Sequence, residues 1–299
     1  MSFNFSDDRN QPETAGSGNG TVLMPISDQE FNLMRELIYR KFGINLTDQK
    51  RSLLVGRLQK LLRQWGFSSF RDYYEHLQND KSERALGELV DRISTNHTYF
   101  NREKDHFDYF LKTALPAVVT RLRKENRQDL RVWCAGCSSG EESYMLVMLM
   151  KEYLGKDYPK WNAGVLATDI SERVLSIART GTYPADRVNQ LPEHFRTRYF
   201  QQLGSGQWTV KEELKKEVTY RRFNLMNKEF PFKKPFQIIF CRNVMIYFDQ
   251  PTRETLIRKF HQFTEPGGYL FIGHSETIGR SQNLYRYLMP ATYRKDENP

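Results

Sequence analysis

The stretch from Arg131 to Glu142, RVWCAGCSSGEE, constrains the fold of this 299-residue chain more than any other segment. Its apolar start predicts a buried strand, its small residues predict a tight turn, and its two glutamates open a helix. A strand that passes through a small-residue turn into a helix is typical of nucleotide-cofactor sites, because small residues let the backbone approach a ligand closely. The sequence therefore predicts a ligand site at the end of this strand.

The acidic residues near this turn favour one type of cofactor. Glutamates at a helix N-terminus repel a pyrophosphate and occupy the positive end of the helix dipole, and the full G-x-G-x-x-G pattern of dinucleotide sites is missing. Asp169 ends the next apolar run, VLATD, where a carboxylate can bind the two hydroxyls of a ribose. A cofactor with a ribose and a positive charge but no phosphate, such as S-adenosylmethionine, suits these residues best.

The second half of the chain has an α/β pattern, predicted as one domain over residues 129–299. Short apolar runs alternate with helical segments, which predicts a mostly parallel sheet with right-handed crossovers. The predicted strands cover residues 131–134, 164–167, 236–241 and 269–272, and the predicted helices cover 142–153, 172–179 and 251–263. The stretch of about 182–223 interrupts this alternation with a helical piece, a Gly-Ser-Gly turn and two strand-like runs, 207–210 and 218–223, and predicts a small antiparallel insert.

The first half of the chain is predicted to be helical. Residues 1–24 are polar and rich in Gly, Ser, Asn and Asp, which predicts a disordered tail. Residues 25–94 predict a small all-helical domain of four helices, and residues 95–128 a linker with a connecting helix. A domain of this size has a thin core, so we expect it to dock on the rest of the chain.

Helix boundaries in this small domain follow from capping patterns. Ser27 and Glu30 form a capping box for the first helix, and Gly43 ends it. Asp48 is expected to cap the second helix, which Gly66 ends. The second helix carries a leucine face at helical spacing, and the remaining two helices cover about 69–78 and 83–92; the leucines are Leu54, Leu58, Leu61 and Leu62.

The second helix also carries a basic stripe. Arg57, Lys60 and Arg63 stand at i, i+3 and i+6 beside the leucine face. Such a stripe is either an ordinary solvated helix flank or a docking surface for an acidic helix, and the sequence leaves both open. The net charge of +9 and the pI near 9.3 indicate an acidic partner, but do not choose among nucleic acid, an anionic membrane surface and an acidic protein.

Cysteine usage and hydropathy indicate the cellular compartment of the protein. Three cysteines argue against a disulfide framework and fit a reducing cytoplasm. Cys134 and Cys137 form a C-x-x-C, but no second pair completes a zinc shell, so we interpret both, and Cys241, as packing residues and predict no metal site. No apolar run is long enough to span a membrane, and the N-terminus does not resemble a secretory signal. These features predict a cytoplasmic protein.

Two further segments are dense in side chains that could bind a ligand. TNHTYFNRE, residues 95–103, joins the two domains, and its Arg102 can bind a carboxylate through two parallel hydrogen bonds. FCRNVMIYF, residues 240–248, places Arg242 and Asn243 at the carboxyl end of the sheet, where ligands bind in open α/β folds. Tyr247 can place a hydroxyl over the same edge.

With these motifs in hand, the chain resembles the chemotaxis-receptor glutamate O-methyltransferases, the CheR family, from about residue 27 to 294. The resemblance rests on TNHTYFNRE, AGCSSGEE, ATDI, FNL and FCRNVMIYF. It implies a seven-stranded, Rossmann-like methyltransferase sheet with a small antiparallel β insert, preceded by a small all-helical domain. It also implies that S-adenosylmethionine is the methyl donor, that S-adenosylhomocysteine is the product, and that glutamates in the cytoplasmic helical region of transmembrane chemoreceptors are converted to methyl esters.

The resemblance also implies roles for individual residues. Arg102 and Tyr247 would position the substrate carboxylate and count as the catalytic residues. A glutamate is already an anion near neutral pH, so alignment of the reacting atoms and exclusion of water would suffice without a strong base. The implied cofactor-binding residues are Asn96, Thr98, Arg102, Glu142, Asp169 on the ribose, Asn224 and Leu225 beside the adenine, and Arg242 and Asn243 at the methyl-transfer edge.

The chain departs from the family at two places. Ser143 replaces the proline that usually follows the two glutamates, and we expect a small effect. The insert between Tyr199-Phe200 and Asn224-Leu225 is short. Because some family members use this insert to grip a peptide at the receptor C-terminus, we predict that this chain needs no such pentapeptide tether.

Two other functions remain open at this point. The basic charge would suit a methyltransferase that acts on nucleic acid, but residues 241–244 read Cys-Arg-Asn-Val where base-methylating enzymes often carry an Asn/Asp-Pro-Pro-Tyr/Phe run. A non-catalytic adaptor that binds S-adenosylmethionine or its product as a signal is the other possibility. We expect a monomer that neither binds nucleic acid nor inserts into a membrane.

Overall fold

The computed structural model describes residues 23–279 and 282–297. The predicted disordered tail, residues 1–24, lies outside the described residues except for its last two. Met24 already packs on the helical domain, since its backbone N–H donates to Gln59 Oε1 and its carbonyl accepts from Gln59 Nε2, both at 2.9 Å. Among the described residues, no helix is long and apolar enough to cross a bilayer.

Four helices form the N-terminal part, as predicted: α1 (Asp28–Phe42), α2 (Arg51–Trp65), α3 (Phe70–Asn79) and α4 (Arg84–Ile93). The capping box of Ser27 and Glu30 is present, and Gly43 ends α1 with φ +70°. One prediction was wrong, because Asp48 does not cap α2. It opens a 3₁₀ turn that runs directly into α2, which leaves no extended residue to act as a cap, and its carboxylate pairs with Arg35 at 3.2 Å.

The apolar faces of these helices share one core, which includes all four predicted leucines. The helical domain docks on the larger domain through the end of α1. Ile44 forms an antiparallel bridge with Phe248, and the Asn45 N–H donates to the Tyr247 carbonyl at 2.8 Å. These contacts place the end of α1 beside the FCRNVMIYF segment.

The remaining elements continue the α/β pattern. A helical connection of α5 (Lys104–Tyr109), a π-helical turn and α6 (Leu115–Lys124) leads into the sheet domain. The other helices are α7 (Glu141–Leu154), α8 (Glu172–Thr180), α9 (Ala185–Val188), α10 (Glu193–Tyr199), α11 (Glu212–Lys215) and α12 (Gln250–Phe263). The strands are β1 (Asp129–Ala135), β2 (Asn162–Asp169), β3 (Thr182–Pro184), β4 (Phe200–Leu203), β5 (Gln207–Val210), β6 (Val218–Arg222), β7 (Phe236–Cys241), β8 (Thr264–Ile272), β9 (Arg286–Met289) and β10 (Thr292–Arg294).

The main sheet confirms the predicted seven strands. Their order is β6-β2-β1-β7-β8-β10-β9; the first five strands run parallel, and β10 pairs antiparallel with both β8 and β9. The central strands β1 and β7 are buried almost throughout, as expected for a sheet covered on both faces. The strand order reverses direction around β1, so the carboxyl ends of β1, β2 and β7 border one crevice.

The antiparallel insert is present but smaller than predicted. Its sheet has the order β3-β5-β4, so it ends near residue 210. Residues 218–223 were assigned to this insert, but their strand β6 pairs in parallel with β2, from Val165↔Val218 to Asp169↔Arg222. Val218 and Tyr220 are buried while their neighbours are exposed. This alternation marks an edge strand of either sheet, so the pattern alone did not decide its partner.

Candidate active site

The loop between β1 and α7 requires glycine. Gly136 has φ +86°, and a Cβ atom there would lie within 3.0 Å of the Val244 side chain. The N–H groups of Gly136 and Cys137 both donate to the Thr168 carbonyl, at 2.7 and 2.9 Å. The loop therefore folds tightly back on the end of β2, as the run of small residues predicted.

An open cavity lies at the carboxyl ends of the parallel strands, between the two domains. Counting its mouth, it encloses about 1100 Å³, and the N-terminal part contributes Phe42 and Ile44 to its wall. All ten residues predicted to be catalytic or cofactor-binding line this one cavity: Asn96, Thr98, Arg102, Glu142, Asp169, Asn224, Leu225, Arg242, Asn243 and Tyr247. Tertiary structure thus brings together five segments that are far apart in the sequence.

Asp169 is a buried acceptor at the end of β2. Its carboxylate oxygens accept from the N–H groups of Ser171 at 3.0 Å and Ser138 at 2.9 Å. Burial raises the pKa of Asp169, although the backbone donors oppose this shift. Each oxygen keeps a further lone pair, so the side chain can still accept hydrogen bonds from ribose hydroxyls in the cavity.

Arg242 binds two carboxylates of the cavity wall rather than extending freely into the cavity. Its side chain is 1% exposed and pairs with Glu142 at 2.7 Å and with Glu103 at 3.0 Å. Its Nη2 also donates to the Arg102 carbonyl. Burial acts to raise the pKa of Glu103, but Arg242 and a hydrogen bond from Asn243 hold it below its ordinary value. Arg242 lies where predicted, and it fixes the position of Glu142.

Arg102 and Tyr247 line the cavity, and each can form further hydrogen bonds with a ligand. Arg102 Nη1 donates to the His97 carbonyl at 2.7 Å, and none of the ion pairs within residues 23–279 and 282–297 involves Arg102. The Tyr247 hydroxyl donates to the Thr95 carbonyl at a long 3.3 Å. Both side chains are only half-buried, so each can contact a substrate at the cavity mouth.

An unpartnered donor in the cavity wall indicates a ligand. Asn96 Nδ2 is buried and has no hydrogen-bond partner among the described residues, and a buried polar group without a partner is costly. Leu225 supplies apolar surface, while the Asn224 amide is engaged with the Lys41 carbonyl at 2.8 Å and so ties the wall to α1. Buried carboxylates, a free amide donor and apolar surface together fit S-adenosylmethionine, with its amino acid, ribose and flat base.

Sequence reasoning missed Glu276, which holds the FCRNVMIYF loop. This buried carboxylate accepts the N–H groups of Gly273 at 2.6 Å, Asn243 at 3.0 Å and Ile246 at 3.1 Å. Asn243 itself has φ +58°, a conformation that needs such support. The only sequence signal was an acidic residue shortly after the predicted strand 269–272. Glu103 was also missed, although it stands in a quoted motif beside Arg102.

The three residues of the basic stripe on α2 have different surroundings in the structure. Arg57 is half-buried, and its guanidinium donates to Thr95 Oγ1 at 2.7 Å and to the Ile93 carbonyl. Lys60 and Arg63 are exposed. Arg57 therefore connects α2 to the segment that lines the cavity, and the docking role of the stripe stays a prediction.

The remaining sequence features have structural roles. Ser143 is buried, donates to the Gly140 carbonyl at 2.8 Å and lies 2.9 Å from the Tyr220 hydroxyl, so serine fits where the family has proline. All three cysteines are buried and free, and burial raises the pKa of each thiol. Their interpretation as packing residues is confirmed.

Comparison with known families decides the assignment. Residues 29–94 match the all-alpha domain of CheR methyltransferase, and residues 96–294 match the CheR methyltransferase SAM binding domain. The chain belongs to the CheR methyltransferase family. It is thus an S-adenosylmethionine-dependent methyltransferase, and the SAM binding domain contains every predicted cofactor residue.

Three bacterial relatives match this chain over nearly their whole length. The chain is 45% identical to the chemotaxis protein methyltransferase of Borreliella burgdorferi over 271 residues, which is 91% of this chain and 95% of the relative. It is 35% identical to chemotaxis protein methyltransferase 2 of Pseudomonas aeruginosa, covering 89% of this chain and 92% of that protein. Identity to the chemotaxis protein methyltransferase of Escherichia coli is 34%, with 89% and 90% covered.

Proposed function

We propose that this CheR-family enzyme transfers a methyl group from S-adenosylmethionine to glutamate side chains of chemoreceptors, forming γ-glutamyl methyl esters and S-adenosylhomocysteine. The observation that supports this proposal most is the position of Arg102 and Tyr247 on the wall of one cavity with Asp169 and Glu142. A carboxylate-binding arginine and a hydroxyl donor thereby stand beside the acceptors expected for the methyl donor.

Several residues would hold the cofactor. Asp169 would accept from the ribose hydroxyls, and Glu142, kept in place by Arg242, would bind the amino group of the methionine part. Asn96 would donate its unpartnered amide N–H, and Leu225 would pack on the adenine. When bound, S-adenosylmethionine supplies an electrophilic methyl group on a sulfonium.

The protein's own residues would align the nucleophile. Arg102 would hold the substrate carboxylate through parallel hydrogen bonds, and Tyr247 would donate to the same group. A carboxylate oxygen held by Arg102 and Tyr247 would form its bond to the methyl carbon as the carbon–sulfur bond breaks, with a neutral thioether as the leaving group and no proton transfer required. A glutamate with pKa about 4.3 is already ionised near pH 7, so orientation is the main requirement.

The reaction is tested with purified enzyme, labelled S-adenosylmethionine and receptor-containing membranes. We expect alkali-labile methyl esters on the receptor band. Arg102→Lys keeps the charge but loses the bidentate geometry, so we expect kcat/KM to fall about tenfold or more, while Arg173→Ala, an exposed arginine on α8, serves as the matched control. Tight cofactor binding without transfer would instead favour the adaptor, and methyl transfer to added RNA or DNA would favour a nucleic-acid enzyme.

The basic stripe is proposed to dock the acidic receptor helices. Lys60→Glu combined with Arg63→Glu should raise the KM for receptor and leave the cofactor Kd unchanged, because neither residue lines the cavity. Arg57→Glu should also reduce kcat, because Arg57 holds Thr95. Loss of cofactor binding in the Lys60/Arg63 double variant would show that the stripe is structural.

The proposal also covers the receptor tether, the oligomeric state and nucleic-acid binding. The three-stranded insert is short, so the enzyme is proposed to act without a receptor pentapeptide tether, as a cytoplasmic monomer that does not bind nucleic acid. Saturable binding of a receptor-tail pentapeptide at micromolar concentration would contradict the first point. Binding to duplex DNA with a steep salt dependence would contradict the last.

A further inference from the structure

A pair of acceptors faces each other in the interior next to the cavity. His106 on α5 is fully buried, and its Nε2 lies 3.3 Å from the Pro290 carbonyl. When Nε2 donates to this carbonyl, the neutral ring has its lone pair on Nδ1. Nδ1 has no hydrogen-bond partner among the described residues and lies 3.4 Å from Glu103 Oε2. Glu103 Oε2 already accepts from Arg242 Nη2 at 3.0 Å, so the Nδ1 lone pair is the group that lacks a partner, and a cation between the two atoms would supply one.

A second imidazole completes the cluster. His274 follows β8, and its ring centroid lies 4.5 Å from that of His106. His274 Nε2 lies 3.0 Å from Asp105 Oδ2, so one nitrogen is held by a carboxylate. A metal-binding histidine usually has one ring nitrogen on a carboxylate or a backbone carbonyl, and here one nitrogen of each histidine lies beside such a group.

We propose that Glu103, His106 and His274 form a binding site for a divalent transition-metal ion, best matched by Zn²⁺. One ligand atom from each of the three residues lies within 4.8 Å of the others. The 3.4 Å between Glu103 Oε2 and His106 Nδ1 equals the edge of a tetrahedron with bonds of about 2.1 Å, the length typical of zinc sites. Two histidines and one glutamate are a familiar donor set for Zn²⁺ with one position left for water.

The charge around the cluster also suits a divalent cation. The cluster contains three carboxylates and one guanidinium. Arg242 pairs with Glu103 and Glu142. His106 lies beside Glu103, and His274 lies beside Asp105. With neutral imidazoles the group carries two negative charges. Neutral imidazole is the form of histidine that binds a metal ion.

The site is distinct from the cofactor cavity. None of its three residues lines that cavity, although Glu103 is joined to Glu142 through Arg242. The side chain of His274 is 42% exposed, which gives an ion access to the cluster from solvent.

The test uses the full chain after chelation, titrated with Co²⁺ alone and then with Zn²⁺ alone, without cofactor or receptor. We expect one equivalent of Co²⁺ to give the visible absorption of four-coordinate cobalt, and one equivalent of Zn²⁺ to abolish it. His274→Ala should remove the signal, and Asp105→Asn should weaken Zn²⁺ binding by about 10–100-fold, because Asp105 only supports the ligand. His194→Ala, an exposed histidine on α10, is the control and should bind as the wild type does.

Two results would overturn this site. One is the absence of the cobalt spectrum in the wild type, and the other is an equal spectrum in the His274→Ala protein. Circular dichroism of each variant shows whether it is folded. Because the titration needs neither methyl donor nor receptor, its failure leaves the proposed methylation untouched.

Discussion

Gly136→Ala tests whether the loop after β1 tolerates any side chain at the cofactor cavity. Gly136 has φ +86°, and its added Cβ would lie within 3.0 Å of Val244, a separation that real Cβ atoms essentially never show. The left-handed backbone costs a non-glycine residue about 1–2 kcal/mol, and forcing an extra methyl into a packed site costs about 1–3 kcal/mol more. We therefore expect a total loss of about 2–5 kcal/mol in the free energy of unfolding.

A matched glycine separates the two contributions. Gly66 ends α2 with φ +73°, and nothing lies within 4 Å of a Cβ built there. Gly66→Ala should therefore show the backbone cost alone, about 1–2 kcal/mol. Adding Val244→Ala to the Gly136→Ala protein removes the steric part and should recover about 1–3 kcal/mol relative to the sum of the single changes.

Urea unfolding measures the stabilities, and calorimetry with S-adenosylmethionine measures the effect on the cavity. We expect cofactor affinity to fall in Gly136→Ala, to recover in part in the double variant, and to stay unchanged in Gly66→Ala. If Gly136→Ala and Gly66→Ala cost the same, and Val244→Ala gives no recovery, then the clash with Val244 is not what requires glycine.

Three further outcomes follow from buried or hydrogen-bonded carboxylates. Glu265→Gln should reduce the free energy of unfolding by about 3–5 kcal/mol in urea titration with unchanged cofactor affinity, because this buried carboxylate pairs with three arginines at 2.7–3.2 Å, away from the cavity. Asp169→Asn should weaken S-adenosylmethionine binding about tenfold or more by calorimetry, since the amide offers one acceptor oxygen instead of two. Burial tends to raise the pKa of Glu30, but hydrogen bonds from Ser27 and Arg71 hold it below its ordinary value of 4.5. The stability that Glu30 adds is therefore present above roughly pH 4.5 and lost as the pH falls through its lower folded value, so unfolding curves of Glu30→Gln and wild type should converge in acid.

Most of the site could be predicted because its residues cluster in short segments. Asn96, Thr98 and Arg102 share one motif, and Arg242, Asn243 and Tyr247 share another. Placing both at the carboxyl end of a parallel sheet needed only the order of strands and helices. The cavity then brought all of these residues together.

The predictions that failed depended on competing partners. Asp48 has the right side chain for a cap, but the chain before α2 is already turned, and the carboxylate pairs with Arg35 instead. Residues 218–223 have the alternation of a half-buried strand, which two different sheets could accept. A local sequence pattern predicts which face of an element is buried, but it does not predict which neighbouring element covers that face.

Local residue order was enough to establish the strand, turn and helix around the cofactor loop and the capping of α1, because each depends on neighbours within a few positions. Only the folded chain decided that Arg242 bridges Glu103 and Glu142, that Glu276 holds the loop of Asn243, and that His106 faces Glu103 beside His274. Apart from Glu103 and His106, the partners in these contacts stand 33 or more residues apart in the sequence. Their pairing is set by packing of the sheet and its helices, where burial makes a matched charge favourable and an unmatched one costly.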